Sequence, residues 1–368
     1  MNGIEYRVPS MEEIRSIPWN GYKVVSTFSG GGGSCLGYRM AGYHVIWANE
    51  FVEEAQRTYE LNHPGTYLDK RDIREIEPDE ILSQTGLKKG ELDLFDGSPP
   101  CCAFSTAGRR EKGWGKKRKY SDGKEQQIEN LFLEYIRILN GLQPKTFIAE
   151  NVSGMVKGKA IGYFREYIHL MQNCGYRVKA QLINAKYLGV PQSRERIIFV
   201  GVRNDLDIDP HFPKPKSHIF TLGDALKDVK NDEEEISKLI EDAKRYSWGS
   251  VLKKLPKDPK KIVSGDQVEN GSYFSLKRES IYMPCSTICQ MNGASSASGN
   301  CHPIEDRKFS IPELKRITSI PDDFVLTGEF CQKWERLGRM VPPIMMKEIS
   351  LCVKENILDK AKERRTEP

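Results

Sequence analysis

Through the first two hundred residues, apolar strand-like runs alternate with amphipathic helical segments, and this alternation constrains the fold more than any single motif. "KVVSTF" (23–28), "HVIWAN" (44–49), "ELDLFDG" (91–97), "TFIAEN" (146–151), "RVKAQLI" (177–183) and "RIIFVGV" (196–202) read as strands. Between the third and fourth, "QQIENLFLEYIRILNGL" (126–142) puts Ile128, Leu131, Phe132, Tyr135, Leu139 and Leu142 on one helical face. Strands separated by helices cannot form hairpins with one another. They imply an α/β fold with a mostly parallel sheet covered by helices on both faces.

The pattern breaks after Val202. "NDLDIDPHFPKPKSH" is a Pro-rich connection, and the residues to about 305 are charged, irregular and, near "QMNGASSASGN", rich in Gly, Ser and Asn. This reads as a smaller domain inserted into the first, giving 1–202, 203–305 and a returning segment 306–368. The return begins with "SIPE", a capping box with Ser310 as N-cap and Glu313 answering it. A long amphipathic helix with a basic end, "PPIMMKEISLCVKENILDKAKERR", closes the chain and suits packing back on the sheet.

Bulk composition narrows the setting. At 368 residues the chain can bury a large core. Lacking a membrane-length apolar run or a signal-peptide core at its start, it is expected in the cytoplasm, with no membrane partner. Nine cysteines in a reducing compartment point to thiol chemistry or packing instead of disulfides. The net charge of +5 is modest, but its distribution is informative. "GRREKGWGKKRKY" (108–120) and "KRYSWGSVLKKLPKDPKK" (244–261) interleave Trp114, Tyr120, Tyr246 and Trp248 with cations, which suits a surface meeting phosphates and bases as well as a merely solvated face.

Two loops carry candidate chemistry. In "VVSTFSGGGGSCLGYRMAGYHVIWANE", Gly30, Gly32 and Gly33 would let backbone amides approach a ligand, and Glu50 ends the next strand where a carboxylate can meet ribose hydroxyls. The pair suggests an adenosine-containing cofactor, and the missing Lys-Ser/Thr argues against a P-loop. In "GSPPC", Cys101 follows the carboxyl end of a strand, on the edge where open α/β sheets bind ligands. A nucleophilic thiol needs helpers. Glu150 in "FIAENV" and Arg194 and Arg196 in "QSRERIIFVG" are at hand, although surface pairing with Glu195 would also explain the arginines.

Taken in order, "FSGGGG", "GSPPC", "ENV", "QSRER", "RKFSIPELKRI…PDDF" and "GRMVPP" resemble the motifs of the cytosine-5 DNA methyltransferase family across nearly the whole chain. The resemblance implies a Rossmann-like, mixed-sheet S-adenosylmethionine-dependent domain with an inserted target-recognition domain, acting on double-stranded DNA. Cys101 would then add to carbon 6 of a flipped-out cytosine and make carbon 5 nucleophilic. Protonated Glu150 would offset charge at ring nitrogen 3, and Arg196 with Arg194 would bind the exocyclic oxygen and a neighbouring phosphate. Phe28, Gly30, Gly32, Gly33, Glu50, Phe51, Asp72, Ile73, Pro100, Leu131 and Arg339 would line the cofactor site. Plain core packing would equally account for Phe28, Phe51, Ile73 and Leu131. Ser105, Arg109, Arg110 and Gln192 would contact DNA, the basic loop from Arg109 to Tyr120 closing over the base. A monomer of restriction–modification type, with a separately encoded endonuclease, is the expected setting.

The chain departs from the family pattern at four places. Cys102 stands where glutamine is usual and is expected to be tolerated. Ser26 replaces an acidic residue ahead of the glycine motif and is expected to matter little. Arg339 occupies an asparagine position beside the cofactor, with Met340 after it. Either Arg339 turns outward or meets a carboxylate, or the donor is carboxy-S-adenosylmethionine, which an arginine fork would suit. Cys285, Cys289, Cys301 and His302 do not have the spacing of a zinc site, and no metal is expected. Rival functions are an RNA cytosine-5 methyltransferase and a non-catalytic DNA-binding relative, the latter disfavoured by the intact Cys101 and Glu150.

Overall fold

The computed structural model of the chain describes residues 4–100, 130–158, 160–268, 275–290 and 295–366, the short strands Lys117–Lys119 and Glu125–Gln127, and residues 273 and 293. It divides into two compact units. The sheet unit comprises 16–183, 195–214 and 346–368, and the second unit 1–15, 184–194 and 215–345.

The sheet unit is built on strands β1 (Lys23–Thr27), β2 (His44–Asn49), β3 (Tyr67–Asp69), β4 (Leu94–Gly97), β5 (Thr146–Val152), β6 (Tyr176–Asn184) and β7 (Glu195–Arg203). Their order is β3-β2-β1-β4-β5-β7-β6. β3, β2, β1, β4 and β5 are mutually parallel, whereas β7 runs antiparallel to β5. All six expected strands are present. The sheet is mixed, as the resemblance implied, and the short β3 was not foreseen.

The expected helix over 126–142 is corrected at its start. Glu125–Gln127 pairs as a strand with Lys117–Lys119, and the helix begins at Leu131 after Asn130 at φ 70°. Ile128, expected on the helical face, lies outside the described residues. From Leu131 onward the expected face holds. Leu131, Phe132, Tyr135, Leu139 and Leu142 are buried, with Tyr135 stacked on Phe95 at 4.6 Å and Phe132 edge-on to Phe199 at 5.8 Å. Each such side chain contributes about 1.5–3 kcal/mol. The C-terminal helix, continuous from Pro343 through a π turn at Lys354–Leu358 to Thr366, is tied down where Tyr43 donates to the Ser350 carbonyl and Tyr22 to Asp359.

The second unit carries short helices, the longest Glu233–Arg245, joined by irregular loops. Its small sheet pairs Val263–Ser264, Leu276–Arg278 and Gly299–Cys301, and its apolar cluster centres on Trp248, Val251, Leu252, Leu255 and Leu276. Trp248 is therefore a core anchor here, not an aromatic interleaved on a binding surface. The capping box forms as expected, with Ser310 Oγ accepting from the Glu313 amide and Glu313 from the Ser310 amide. The boundaries expected near 202 and 306 move, however. The helices Ile311–Ile317 and Phe330–Arg339 belong to the second unit, because Glu313 pairs with Arg307 there and Trp334 donates to the Cys289 carbonyl. Among the described residues no helix is long and apolar enough to cross a membrane.

Candidate active site on the sheet edge

Register brings three loops of the sheet unit together. Gly97, the last residue of β4, lies opposite Thr27 of β1 and Ala149 of β5. Because these strands are parallel, Phe28, Ser98 and Glu150 each follow the last residues paired among them at the same edge, where the strand order reverses. That is the crevice in which open α/β sheets hold ligands.

The glycine loop enters a helix through left-handed backbone at Phe28 (φ 54°), Gly30 (φ 56°) and Gly32 (φ 92°). Gly32 has no room for a side chain, since a Cβ would lie 2.2 Å from His63 Nε2. A Cβ at Gly30 would meet nothing within 4 Å, so the loop's open side lies there. The buried Glu50 carboxylate accepts from the Gly30 amide through one oxygen and from the Val52 amide through the other, both at 2.7 Å. A carboxylate oxygen carries two lone pairs, so Glu50 can anchor the loop and still accept from a ligand hydroxyl. Asp72 caps the turn Ile73–Glu75 and pairs with Arg74 at 3.0 Å. Ile73 and Leu131 are fully buried core residues, Phe28 packs partly buried on the same cluster, and Phe51 packs on Val52 and Ala55. For Ile73 and Leu131, core packing is the geometry found.

At the second loop, Pro99 and Pro100 are described, whereas Cys101, Cys102, Ser105, Arg109 and Arg110 lie outside the described residues. What positions the turn is Asn151, whose Nδ2 donates to the Pro99 carbonyl at 3.1 Å. The triplet "ENV" is visible in the sequence, but nothing local marks its asparagine as the partner of a distant carbonyl. Beside it, Arg196 Nε meets Glu150 Oε1 at 2.7 Å, both side chains mostly buried. The antiparallel register causes this: Arg196 lies opposite Val152 and Ile198 opposite Glu150, which brings the start of β7 to the carboxyl end of β5.

A second missed residue is Asp96, one position before Gly97 and 1% exposed. Its Oδ2 accepts from Ser26 Oγ at 2.7 Å and its Oδ1 from Tyr38 at 2.8 Å. Burial pushes its carboxyl up to about 7, against the two hydroxyl donors that favour the anion, with nearby Glu150 adding to the rise. Ser26, expected to matter little, is thus the hydroxyl partner of a buried acid. A carboxyl in "FDG" opposite a serine in "VST" was the available signal.

Other expected site residues fall in the second unit. Arg194, 2% exposed, spends its guanidinium on the Gly338 and Ile288 carbonyls at 3.0–3.2 Å, which makes it a staple of that unit. Gln192, expected to reach DNA, is fully buried. Its backbone pairs with Cys285, and its side-chain amide has no hydrogen-bond partner among the described residues. Arg339 Nη2 meets Glu335 Oε1, one helical turn back, at 2.6 Å, so its cation is answered by a carboxylate of its own helix. Cys285 and Cys301 are buried thiols, the latter pushed up to about 12, and His302 Nδ1 accepts from the Ile304 and Glu305 amides. Among the described residues no group of three His, Cys, Asp or Glu could hold a metal.

Residues 22–355 match the family model for C-5 cytosine-specific DNA methylase. Type II methyltransferase M.FnuDI of Fusobacterium nucleatum is 31% identical over 92% of this chain and 96% of its own length. Type II methyltransferase M.NgoPII of Neisseria gonorrhoeae is 29% identical over 94% and 99%. Among solved structures, a prophage-encoded Escherichia coli chain described as a DNA modification methyltransferase superposes with TM-score 0.68 at 22% identity, covering 92% of this chain and 100% of that one. Spodoptera frugiperda DNMT2 follows at 0.61 and 17%, covering 93% and 100%. These two likenesses bear on the fold alone.

Proposed function

Since the chain belongs to the C-5 cytosine-specific DNA methylase family, and is a DNA cytosine-5 methyltransferase, we propose that it methylates cytosine within a specific double-stranded sequence by covalent attack from Cys101. The carrying observation is the meeting, at one sheet edge, of the glycine loop with Glu50, the turn pinned by Asn151, and the Glu150–Arg196 pair.

S-adenosylmethionine, the donor this family uses, supplies a methyl group made electrophilic by its sulfonium. The residues present fit it: Gly30 leaves an open cradle, Glu50 stands beside it with spare acceptor capacity, and Asp72 follows on the same edge. Arg339 calls for no carboxylated donor, because Glu335 already answers its charge.

The protein's own part in the chemistry follows. Cys101, as thiolate, forms a bond from Sγ to carbon 6 of the cytosine, and the ring electrons move toward carbon 5. Glu150, oriented by Arg196, faces ring nitrogen 3 and the exocyclic amine, where the charge of the adduct is met by hydrogen bonding. After carbon 5 has been methylated, loss of its proton to a base drives the electrons back and expels the Cys101 thiolate. The target base must leave the helix first, which costs a few kcal/mol. The loop bearing Ser105, Arg109 and Arg110 would close over it.

Recognition would come from the second unit. Lys253, Lys254, Lys257, Lys260 and Lys261 are exposed there, with Lys260 Nζ 3.7 Å from the ring centroid of the exposed Tyr282, a surface suited to a polyanion. The enzyme would act as a monomer, and the type II names of its relatives favour a separately encoded restriction endonuclease as its counterpart.

Mass spectrometry of nucleosides from DNA of cells expressing the protein tests the reading. The expected result is 5-methylcytosine that disappears with Cys101→Ala. A heavier carboxylated cytosine would restore the alternative donor, and modified cytosine confined to RNA would move the substrate.

A further inference from the structure

Beneath the glycine loop runs a chain of hydroxyls that ends on one buried carboxyl. Ser29 Oγ, inside the loop, donates to the Ser26 carbonyl at 3.2 Å and lies 3.0 Å from Ser26 Oγ. Ser26 Oγ donates to Asp96 on β4, and Tyr38, from the helix that follows the loop, donates to the other oxygen of Asp96. One side chain thus gathers β1, β4, the loop and its helix. The loop needs such support. Phe28 holds a left-handed backbone at φ 54°, costing a non-glycine residue about 1–3 kcal/mol, and such a conformation persists only where its surroundings over-determine it.

We propose that Asp96 is a positioning residue for donor binding: through Ser26 and Ser29 it holds the glycine loop, Phe28 included, in the shape that receives the adenosyl end of S-adenosylmethionine. The proposal rests on the donor assignment made above. The ionised carboxylate accepts from both hydroxyls at once, and the neutral acid must give up one acceptor site. Loop order and donor affinity therefore follow the charge of Asp96. The titratable groups around it are Cys35, Tyr38, Tyr59, Tyr135 and Glu150. Burial pushes the Cys35 thiol up to about 12 and raises the three tyrosines well above their ordinary range, so these four stay neutral while Asp96 titrates.

The test is calorimetric titration of the full chain with S-adenosylmethionine, wild type beside Asp96→Asn, with thermal unfolding and steady-state kinetics on the same samples. At about pH 8 the variant is expected to bind about tenfold more weakly, and at about pH 6 the two should converge, because protonated Asp96 resembles asparagine. The loss should fall on KM for the donor, with kcat at saturation changing far less. The unfolding temperature at about pH 8 should hold or rise, since a buried charge has gone. Ser26→Ala breaks the same link from its other end and should reproduce the affinity loss if Asp96→Asn misfolds. Unchanged affinity at about pH 8 in the folded variants, or affinity falling only in step with stability, overturns the proposal. Failure of the wild type itself to bind S-adenosylmethionine overturns the donor assignment and this proposal with it.

Discussion

The two units bury their charges in different ways. The sheet unit has an apolar core of strand and helix side chains, with Asp96 held by hydroxyls beneath the glycine loop. In the second unit, cations are sunk among backbone carbonyls. Arg278 donates to the carbonyls of Leu252, His302 and Glu305 and pairs with Asp306, and Arg194 staples Ile288 and Gly338. Lys308 Nζ gives hydrogen bonds to the carbonyls of Gly293, Ser296 and Ser298 at 2.7–2.9 Å. The difference has a physical cause. Regular strands pair their own backbone groups, whereas irregular loops leave carbonyls that something must satisfy when they are buried. Long side chains with several donors do so at a distance, and in doing so fix loop shape.

Arg307 tests this contrast hardest. Its guanidinium pairs with the buried Glu313 and with Glu305, so Arg307→Met strands a buried carboxylate and should cost about 3–5 kcal/mol in urea unfolding. A loss below about 1 kcal/mol would mean the second unit is not held by its buried ions. On the sheet side, Asn151→Ala strands the buried Pro99 carbonyl, costing about 1–3 kcal/mol in urea unfolding. In the protein that remains folded it should lower kcat by up to about 100-fold, because the turn before Cys101 loses its place.

Asp96 and Lys308 give the units opposite pH signatures. Asp96 is raised from 3.8 to about 7 by burial, so the folded chain holds a proton that the unfolded chain has lost, and stability falls as pH rises from about 4 to 7. Lys308 is lowered by burial from 10.5 to about 8, so the unfolded chain holds the extra proton, and stability rises from about pH 8 to 10.5. Denaturant midpoints across pH should show both limbs, with Asp96→Asn flattening the first and Lys308→Met the second. The smallest effect on stability is expected at Gly30→Ala, where the loop leaves space and the left-handed backbone alone objects, costing about 1–2 kcal/mol in urea unfolding.

Legibility followed the same divide. Buried strands write themselves as apolar runs, which made β1, β2, β4, β5 and β7 readable. The more exposed edge strand β6 was legible by its alternation of polar and apolar residues, and the exception, Tyr67–Asp69, is three residues long. The glycine loop with Glu50 came out as a unit because turn geometry and strand ends leave local signals. What the sequence hid was partnership across distance. Arg194 and Arg196 look equivalent two residues apart, yet the chain leaves a short strand pairing at Gln192–Ser193 and enters β7 at Glu195. One arginine is spent on Gly338 and the other on Glu150. Trp248 looked like a stacking residue because cations surround it in sequence, although in the fold it is the anchor of the second unit's core. Asp96 and Ser26 lie seventy positions apart, and nothing local marks them as a pair.

The most direct test of the account is covalent trapping. Duplex DNA carrying 5-fluorocytosine at the modified site is incubated with the full chain and S-adenosylmethionine, then resolved under denaturing conditions. Fluorine cannot leave carbon 5 as the proton does, so a protein–DNA adduct should accumulate with the wild type and be absent with Cys101→Ala. An adduct that survives in Cys101→Ala, or none in a wild type that makes 5-methylcytosine on ordinary DNA, would contradict attack by this thiol.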